Sequence, residues 1–287
     1  MVSDEVRDGV SLTNLGEPLF EGAGVTKRDL VDYLDAVHGL LIGELADRPL
    51  SVIRVLRGQA PFMQKNVPNY APDWVRTVPL WAEASKREVS YALCNDRRTL
   101  LWFANQRAVE YHPMLVRAGH WEHPTYLILD LDPPDAGAFG LAVRAAGLIR
   151  EALAGAGLAV RAERLDPVLA TTAFVKEERD GKVFLDSTRS GGATVVAAYS
   201  PRARPGVPVS FPVPWAELDR VTPADFTVRT APPLLAGAPP WAGEMPAPQS
   251  LGADLIEEGR AIPIARVQAM HEGKRRARAR RTQADGG

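Results

Sequence analysis

Two short apolar runs, each closed by an aspartate, constrain this chain more than any other feature. In the stretch TYLILDLDPPD, Tyr126 to Leu129 are apolar and are followed by turn-forming prolines, which predicts a buried strand. Side chains alternate faces along a strand, so Asp130 and Asp132 point the same way. Neighbouring carboxylates repel each other unless a cation lies between them or one takes up a proton. The alternative is that the pair only ends a strand and is solvated in a loop.

A second run supplies a third carboxylate. In GKVFLDSTRSGG, Asp186 follows three apolar residues, and turn-forming residues end the predicted strand. If the two strands are neighbours in one sheet, Asp130, Asp132 and Asp186 converge at one end of it. Three carboxylates suit hard divalent cations, and two ions about 3.5–4 Å apart recur in phosphoryl and nucleotidyl transfer. Arg202 and Arg204 in YSPRARPG are candidate phosphate ligands, or else an exposed, solubilising pair.

Composition limits the classes of protein to consider. The 287 residues, 46% hydrophobic and 24% charged, suit one large globular domain or two small ones. A net charge of -1 gives no strong field toward nucleic acid, although the basic block Lys274 to Arg281 either contacts phosphates or is a solvated tail. The single cysteine, Cys94, allows no intramolecular disulfide, and no stretch approaches the roughly 18 apolar residues of a membrane span. We expect a cytoplasmic protein without membrane attachment.

The hydrophobic periodicity predicts an α+β fold, with helices early in the chain and short strands later. Helices are predicted from Thr26 to about Ala46, from Asp96 to about Tyr111, and from about Phe139 to Ala154. Further strands are predicted near residues 51–56, 89–93, 157–161, 171–176, 182–186 and 193–199, with a long proline-rich loop after the first. We predict a domain over residues 1–230, followed over 231–287 by a Pro/Gly-rich linker and a basic tail.

Several blocks of the sequence resemble one family. They include LTNLGEPLF, VTKRDLVDYL, RPLSVIRVLRGQAPFMQKNVPNYAPDWVRTV, LLWFANQRAVEYH, ILDLDPPD and VFLDSTRSGGATVVAAYSPRARPGVPVSFPVPWAELD. Together they are similar to the primase-type polymerase domain of bacterial non-homologous end-joining ligases of the ligase D kind, within the archaeo-eukaryotic primase superfamily. The resemblance ends near Leu218. It implies a primase-type fold of mixed β-sheets flanked by helices.

The resemblance also implies a reaction and its residues. The family adds ribonucleotides or deoxyribonucleotides to DNA ends with two divalent ions, Mn²⁺ or Mg²⁺. By position, the catalytic metal ligands would be Asp130, Asp132 and Asp186, and the nucleotide ligands would be His112, Arg202 and Arg204.

The implied partners are DNA ends and nucleoside triphosphates, together with a separate ligase and an end-binding protein. Lys27 matches a lysine that holds the 5′ phosphate at a break. Phe62 and Met63 match a pair that stacks on the template base, and Lys65 lies beside them.

The chain departs from the family where the family binds phosphate. The sequence lacks the Ser-Gly-x-Lys-Gly-x-His motif, whose backbone, lysine and histidine hold the phosphates of the nucleotide. Glu17 replaces the second lysine of the 5′-phosphate pocket, and Met63 replaces an aromatic residue. If another segment takes over the role of the motif, the candidates are Arg161 to Arg164 and Lys176 to Lys182.

Three functional hypotheses remain open. The first is a nucleotidyltransferase of end-joining repair with reduced activity, which the intact aspartates support. The second is a degenerate, non-catalytic protein that binds DNA ends or repair partners, which the missing motif supports. The third is a phosphatase of the haloacid dehalogenase type, because those enzymes also place an Asp-x-Asp pair after an apolar strand. Pro133 and Pro134 depart from the pattern of that family.

Overall fold

The chain divides into two compact units, of which the first contains residues Met1–Ile128 and Arg189–Glu244 and the second Leu129–Thr188 and Met245–Gly287. The structure is a computed structural model. It describes residues 4–82, 86–125, 128–135, 137–154, 166, 168–171, 173, 176–189, 193–237, 240, 252–254 and 257.

Helices and strands alternate irregularly along the described residues, which confirms the α+β class. The helices are α1 (Lys27–Ala36), α2 (His38–Leu45), α3 (Arg97–Asn105), α4 (Phe139–Ala154) and α5 (Ala231–Leu235), with a 3₁₀ turn at Lys176–Glu178. The strands are β1 (Glu5–Arg7), β2 (Val10–Leu12), β3 (Pro49–Arg54), β4 (Phe62–Gln64), β5 (Thr77–Ala82), β6 (Arg87–Leu93), β7 (Ala108–Pro113), β8 (Ile128–Asp132), β9 (Ala170–Thr171) and β10 (Val183–Arg189). No helix in the described part of the chain is long and apolar enough to cross a membrane.

The first unit is built on a five-stranded sheet in the order β4-β3-β6-β5, with β7 also paired to β3. All of these pairings are antiparallel. Leu50 and Val52 of β3 are buried, and they share one apolar core with residues of α1, α2 and α3. β3 therefore lies at the packed centre of the sheet, and its partners β4 and β7 carry predicted site residues.

The predicted helix from Thr26 to Ala46 is two helices. Thr26 caps α1 as predicted, and it exchanges hydrogen bonds with Asp29 in a capping box. In an uninterrupted helix, the carbonyl oxygen of Asp35 would accept a hydrogen bond from the N–H of Gly39. Here the Nδ1 atom of His38 lies 2.7 Å from that oxygen instead, and the helix ends. The prediction of one continuous helix was wrong.

The predicted helix from Asp96 to Tyr111 ends early, at Asn105. Asp96 caps α3 as predicted, but Arg107 has a φ of 60°, a left-handed conformation that stops a helix. The Arg107 side chain is held in this place by donating hydrogen bonds to the carbonyl oxygens of Val55 and Pro18. The chain then enters β7, so His112 lies on a strand and not after a helix.

Other boundaries also differ from prediction. β4 and β5 lie within and just after the proline-rich segment predicted as a loop. Residues 193–199 form no regular strand and contribute only an isolated bridge at Thr194. α5 begins at Ala231 inside the predicted linker, and both Ala231 and Leu235 are buried in the core of the first unit. The predicted strand at 157–161 and the basic tail Lys274 to Arg281 lie outside the described residues.

The second unit contains a three-stranded sheet in the order β8-β10-β9, with α4 beside it. β9 and β10 are parallel. α4 has the predicted bounds, and its Ala145 and Ile149 pack into a core formed with the sheet. The aspartates Asp130 and Asp132 lie inside β8, whereas the prediction ended the strand before them.

Candidate functional site

The three predicted metal ligands lie on one face of two neighbouring strands. β8 and β10 pair in the sheet of the second unit, as predicted. The core of this unit takes up alternate residues of both strands, namely Leu129, Leu131, Val183 and Leu185. Because side chains alternate along a strand, Asp130, Asp132 and Asp186 are on the opposite face. Asp186 is only 4% exposed, whereas Asp132 is exposed.

The side chains of these aspartates are not gathered into a three-ligand cluster. Among the described residues, no group of three or more His, Cys, Asp or Glu side chains is arranged to hold a metal ion. Asp132 instead forms an ion pair with Arg179, with 3.6 Å between Nη1 and Oδ2. Arg179 also lies over the ring of Phe184 at 4.0 Å from its centroid. The strand placement is as predicted, and the role of the aspartates as metal ligands stays a prediction.

A cavity of about 350 Å³ opens beside Asp132. Its lining includes Asp132, Pro133 and Pro134, together with cationic residues of the turn that precedes β10. The cations are Lys176, Arg179 and Lys182. This concentration of positive charge lies within the second unit, next to a predicted catalytic carboxylate.

A second polar cluster lies on β7 in the first unit and joins two predicted nucleotide ligands. The Nε2 atom of His112 is 2.8 Å from Oε2 of Glu110, which is only 5% exposed. Arg202 reaches the other oxygen of Glu110 at 3.4 Å, and the backbone N–H of Ala203 donates to the same oxygen at 2.7 Å. Glu110 therefore holds His112 and Arg202 together.

The electrostatics of this cluster favour an ionised Glu110. Burial acts to raise the pKa of this carboxyl, but the hydrogen bonds from His112 and the Ala203 amide, with the charge of Arg202, lower the pKa to about 2. The sequence prediction missed Glu110, because a residue two positions before His112 shares its face only on a strand, and a helix was predicted there. Arg204 is exposed and does not join the cluster.

The predicted template-stacking pair lies on β4, at the end of the sheet order. Phe62 and Met63 are 37% and 44% exposed, so both present apolar surface to solvent. The guanidinium of Arg54 lies 5.9 Å from the centroid of the Phe62 ring and donates a hydrogen bond to the hydroxyl of Tyr70 at 3.2 Å. Lys65 is exposed on the same segment. Arg54 and Tyr70 were not predicted, and they extend this patch with one charge and one aromatic ring.

Lys27, the predicted 5′-phosphate ligand, is 3% exposed. Its ammonium donates hydrogen bonds to the carbonyl oxygen of Thr13 at 2.6 Å and to Oδ1 of Asn105 at 2.7 Å. Burial, reinforced by the positive charge of Arg107, lowers the pKa of Lys27 to about 8. The side chain therefore joins α1 to α3 and to Thr13, the residue after β2, and its contact with DNA stays a prediction.

Glu17 lines a cavity of about 440 Å³ together with Arg57 and Arg107, whereas Lys27 is not part of its lining. The carboxylate of Glu17 lies 3.3 Å from Nη1 of Arg107. A carboxylate in this position neutralises much of the positive charge that a phosphate would need. The cavity is consequently less suited to a 5′ phosphate than one lined by cations alone.

Comparison with known proteins gives one consistent family. The family model described as LigD, primase-polymerase domain, matches residues 26–162 and 156–241. Among solved structures, the polymerase domain from Mycobacterium tuberculosis ligase D in complex with DNA aligns with a TM-score of 0.70 and 28% sequence identity. The alignment covers 79% of this chain and 94% of that chain.

Two curated relatives show the extent of the similarity. The bifunctional non-homologous end joining protein LigD of Bacillus subtilis (strain 168) is 29% identical over 267 residues, which are 79% of this chain and 43% of that protein. The multifunctional non-homologous end joining DNA repair protein LigD of Mycobacterium tuberculosis (strain ATCC 25618 / H37Rv) is 30% identical over 255 residues, which are 73% of this chain and 33% of that protein. The chain thus spans less than half the length of these relatives.

Proposed function

The chain belongs to the LigD primase-polymerase domain family, and from this premise we propose that it adds nucleotides from nucleoside triphosphates to DNA ends in end-joining repair. The observation that supports this most is the shared strand face of Asp130, Asp132 and Asp186. The same membership removes the haloacid dehalogenase hypothesis.

The donor set fits a pair of hard divalent ions, Mn²⁺ or Mg²⁺, because carboxylate oxygens are their preferred protein ligands. Asp130, Asp132 and Asp186 would hold these ions. When bound, such ions lower the pKa of an attacking hydroxyl and stabilise the negative charge on the departing phosphate.

The remaining residues divide between nucleotide and DNA. His112 and Arg202, held by Glu110, contact the incoming nucleotide, and the exposed Arg204 adds a charge for its triphosphate. Phe62 and the residues around it stack on a template base. Two further parts of the proposal rest on family membership alone. These are the contact of Lys27 with a 5′ phosphate and the partnership with a separate ligase and an end-binding protein.

We expect the activity to be reduced relative to the family. Each charge-assisted hydrogen bond lost with the Ser-Gly-x-Lys-Gly-x-His motif would be worth about 1.5–3 kcal/mol. Two or three such losses slow the reaction by about two to several orders of magnitude, unless other cations replace some of them.

Primer extension on gapped DNA tests the proposal, with Mn²⁺ or Mg²⁺ and with each nucleotide type in separate reactions. Slow templated extension that Asp130→Ala abolishes is the expected result. DNA binding without any extension, in every combination of ion and nucleotide, would instead favour the non-catalytic hypothesis.

A further inference from the structure

We propose that Lys176 and Lys182 form a phosphate subsite beside Asp132 and bind the polyphosphate of the incoming nucleotide. The inference rests on the proposed function, which places Asp132 at the reacting centre. All residues that line this subsite belong to the second unit.

Backbone hydrogen bonds of the turn before β10 connect the three cationic residues. The N–H of Arg179 donates to the carbonyl oxygen of Lys176 at 3.2 Å, and the N–H of Lys182 donates to that of Arg179 at 2.9 Å. Residues three apart in a 3₁₀ turn lie almost above one another, which aligns Lys176 with Arg179. Asp180 and Gly181, with φ of 48° and 71°, then reverse the chain into β10. The segment KEERDGK thus contributes its three cations and Gly181 to the lining of one cavity.

The positively charged residues of this segment line the cavity, and its negatively charged residues do not. Lys176, Arg179 and Lys182 line it, whereas the acidic residues between them do not, namely Glu177, Glu178 and Asp180. With a volume of about 350 Å³, it falls in the size range of small-molecule sites. Among the described residues, Asp132 supplies the only carboxylate in its lining.

The three cations are not equivalent. Arg179 is engaged by Asp132 and packed on Phe184, so it forms a fixed wall of the cavity. In the described part of the chain, Lys176 and Lys182 have no ion-pair partner, so their ammonium groups keep their hydrogen-bond donors for a ligand. A phosphate oxygen is the acceptor that such donors bind most strongly.

The arrangement favours a nucleotide polyphosphate over the DNA backbone. Three cations around one cavity concentrate positive charge at a single place, which suits a compact polyanion. A DNA strand instead spreads single charges along its length and needs a stripe of cations. The position beside Asp132 also puts bound phosphates next to the predicted reacting centre.

Equilibrium dialysis with the full chain tests this subsite, using a labelled nucleoside triphosphate, inorganic tripolyphosphate and gapped DNA as separate probes. The double variant Lys176→Gln/Lys182→Gln should bind both triphosphates at least about tenfold more weakly, because two charge-assisted contacts are lost, and should bind DNA like the wild type. The double variant Lys176→Arg/Lys182→Arg should restore binding. Lys86→Gln, which removes an exposed lysine in the turn between β5 and β6, should have no effect.

The other outcomes either refute the subsite or show which of the two proposals, the subsite or the proposed function, fails. Unchanged triphosphate binding in the glutamine double variant, with extension intact, refutes the subsite and leaves the proposed function standing. Weakened DNA binding with unchanged triphosphate binding assigns the lysines to the DNA backbone and also refutes it. Loss of tripolyphosphate binding in a chain that never extends DNA supports the subsite and refutes the proposed function. A wild type that binds neither triphosphate refutes both.

Discussion

Replacing Glu110 with alanine removes the acceptor that holds the His112 and Arg202 side chains together. The carboxylate is buried and accepts from the Ala203 amide at 2.7 Å as well as from His112 at 2.8 Å. A buried donor left without a partner costs about 1–3 kcal/mol, and breaking a buried charge pair costs about 3–5 kcal/mol. We expect the free energy of unfolding of the first unit to fall by about 3–4 kcal/mol.

The pKa of Glu110 gives an independent estimate of how much of this stability depends on the charge of the carboxylate. A fall from 4.5 to about 2 corresponds to about 3 kcal/mol of stability at neutral pH. Because the folded pKa lies below the unfolded one, this contribution is complete above about pH 4.5 and is lost as the pH falls toward 2. The difference in stability between wild type and Glu110→Gln should therefore shrink over that range.

Urea denaturation at pH 7 measures the loss of stability in each variant. The same measurement at lower pH compares the wild type with Glu110→Gln. Glu110→Gln keeps the volume and one acceptor but loses the charge, so it should cost about 3 kcal/mol, slightly less than Glu110→Ala. Glu88→Ala, an exposed glutamate on β6, should change stability by less than about 0.5 kcal/mol. A loss below about 1 kcal/mol for Glu110→Ala would refute the argument that this carboxylate organises the cluster.

Four further predictions concern residues of the first unit. The pKa of Lys27 is about 8 in the folded state and 10.5 in the unfolded state, so between these pH values the free energy of unfolding should rise with pH. In denaturation experiments this rise should be steeper in the wild type than in Lys27→Met, by up to about 1.4 kcal/mol per pH unit. Phe62→Ala should weaken binding of single-stranded template by about 1–3 kcal/mol, whereas an unchanged affinity in fluorescence anisotropy would remove it from the DNA surface. DNA binding should be weak and fall steeply with salt, and Lys65→Gln should reduce the slope of log K against log salt by about 1. A 5′ phosphate at the gap should raise the affinity little, because Glu17 pairs with Arg107.

Hydrophobic patterning predicted the elements whose apolar residues face one core. α4 was predicted with its observed bounds because its apolar residues recur at helical spacing and pack on the sheet. The pairing of β8 with β10 was also predicted, since both runs end in aspartate. The same reasoning placed the end of β8 before Asp130, because charged residues usually mark the end of a strand. Asp130 and Asp132 nevertheless belong to β8, on the face opposite the core.

Single local interactions decided the parts that patterning missed. The bond between His38 and the Asp35 carbonyl divides a periodic stretch into α1 and α2, and the left-handed Arg107 converts a predicted helix end into β7. Neither changes the hydrophobic period, so the period could not reveal them. The partnership of Glu110 with His112 depends on β7 being a strand, and it was missed for the same reason. The cationic cavity depends on turn hydrogen bonds that place Lys176 and Lys182 three residues from Arg179.

Mn²⁺ binding to the full chain tests most directly whether the aspartates on β8 and β10 form one catalytic centre. Electron paramagnetic resonance of the free ion counts bound Mn²⁺ without any contribution from nucleotide or DNA contacts. We predict that the wild type lowers the signal of free Mn²⁺ by binding the ion, that Asp130→Ala and the isosteric Asp186→Asn each abolish this binding, and that Glu88→Ala leaves it unchanged. Binding that persists unaltered in both aspartate variants would contradict the assignment of these carboxylates to a shared metal site.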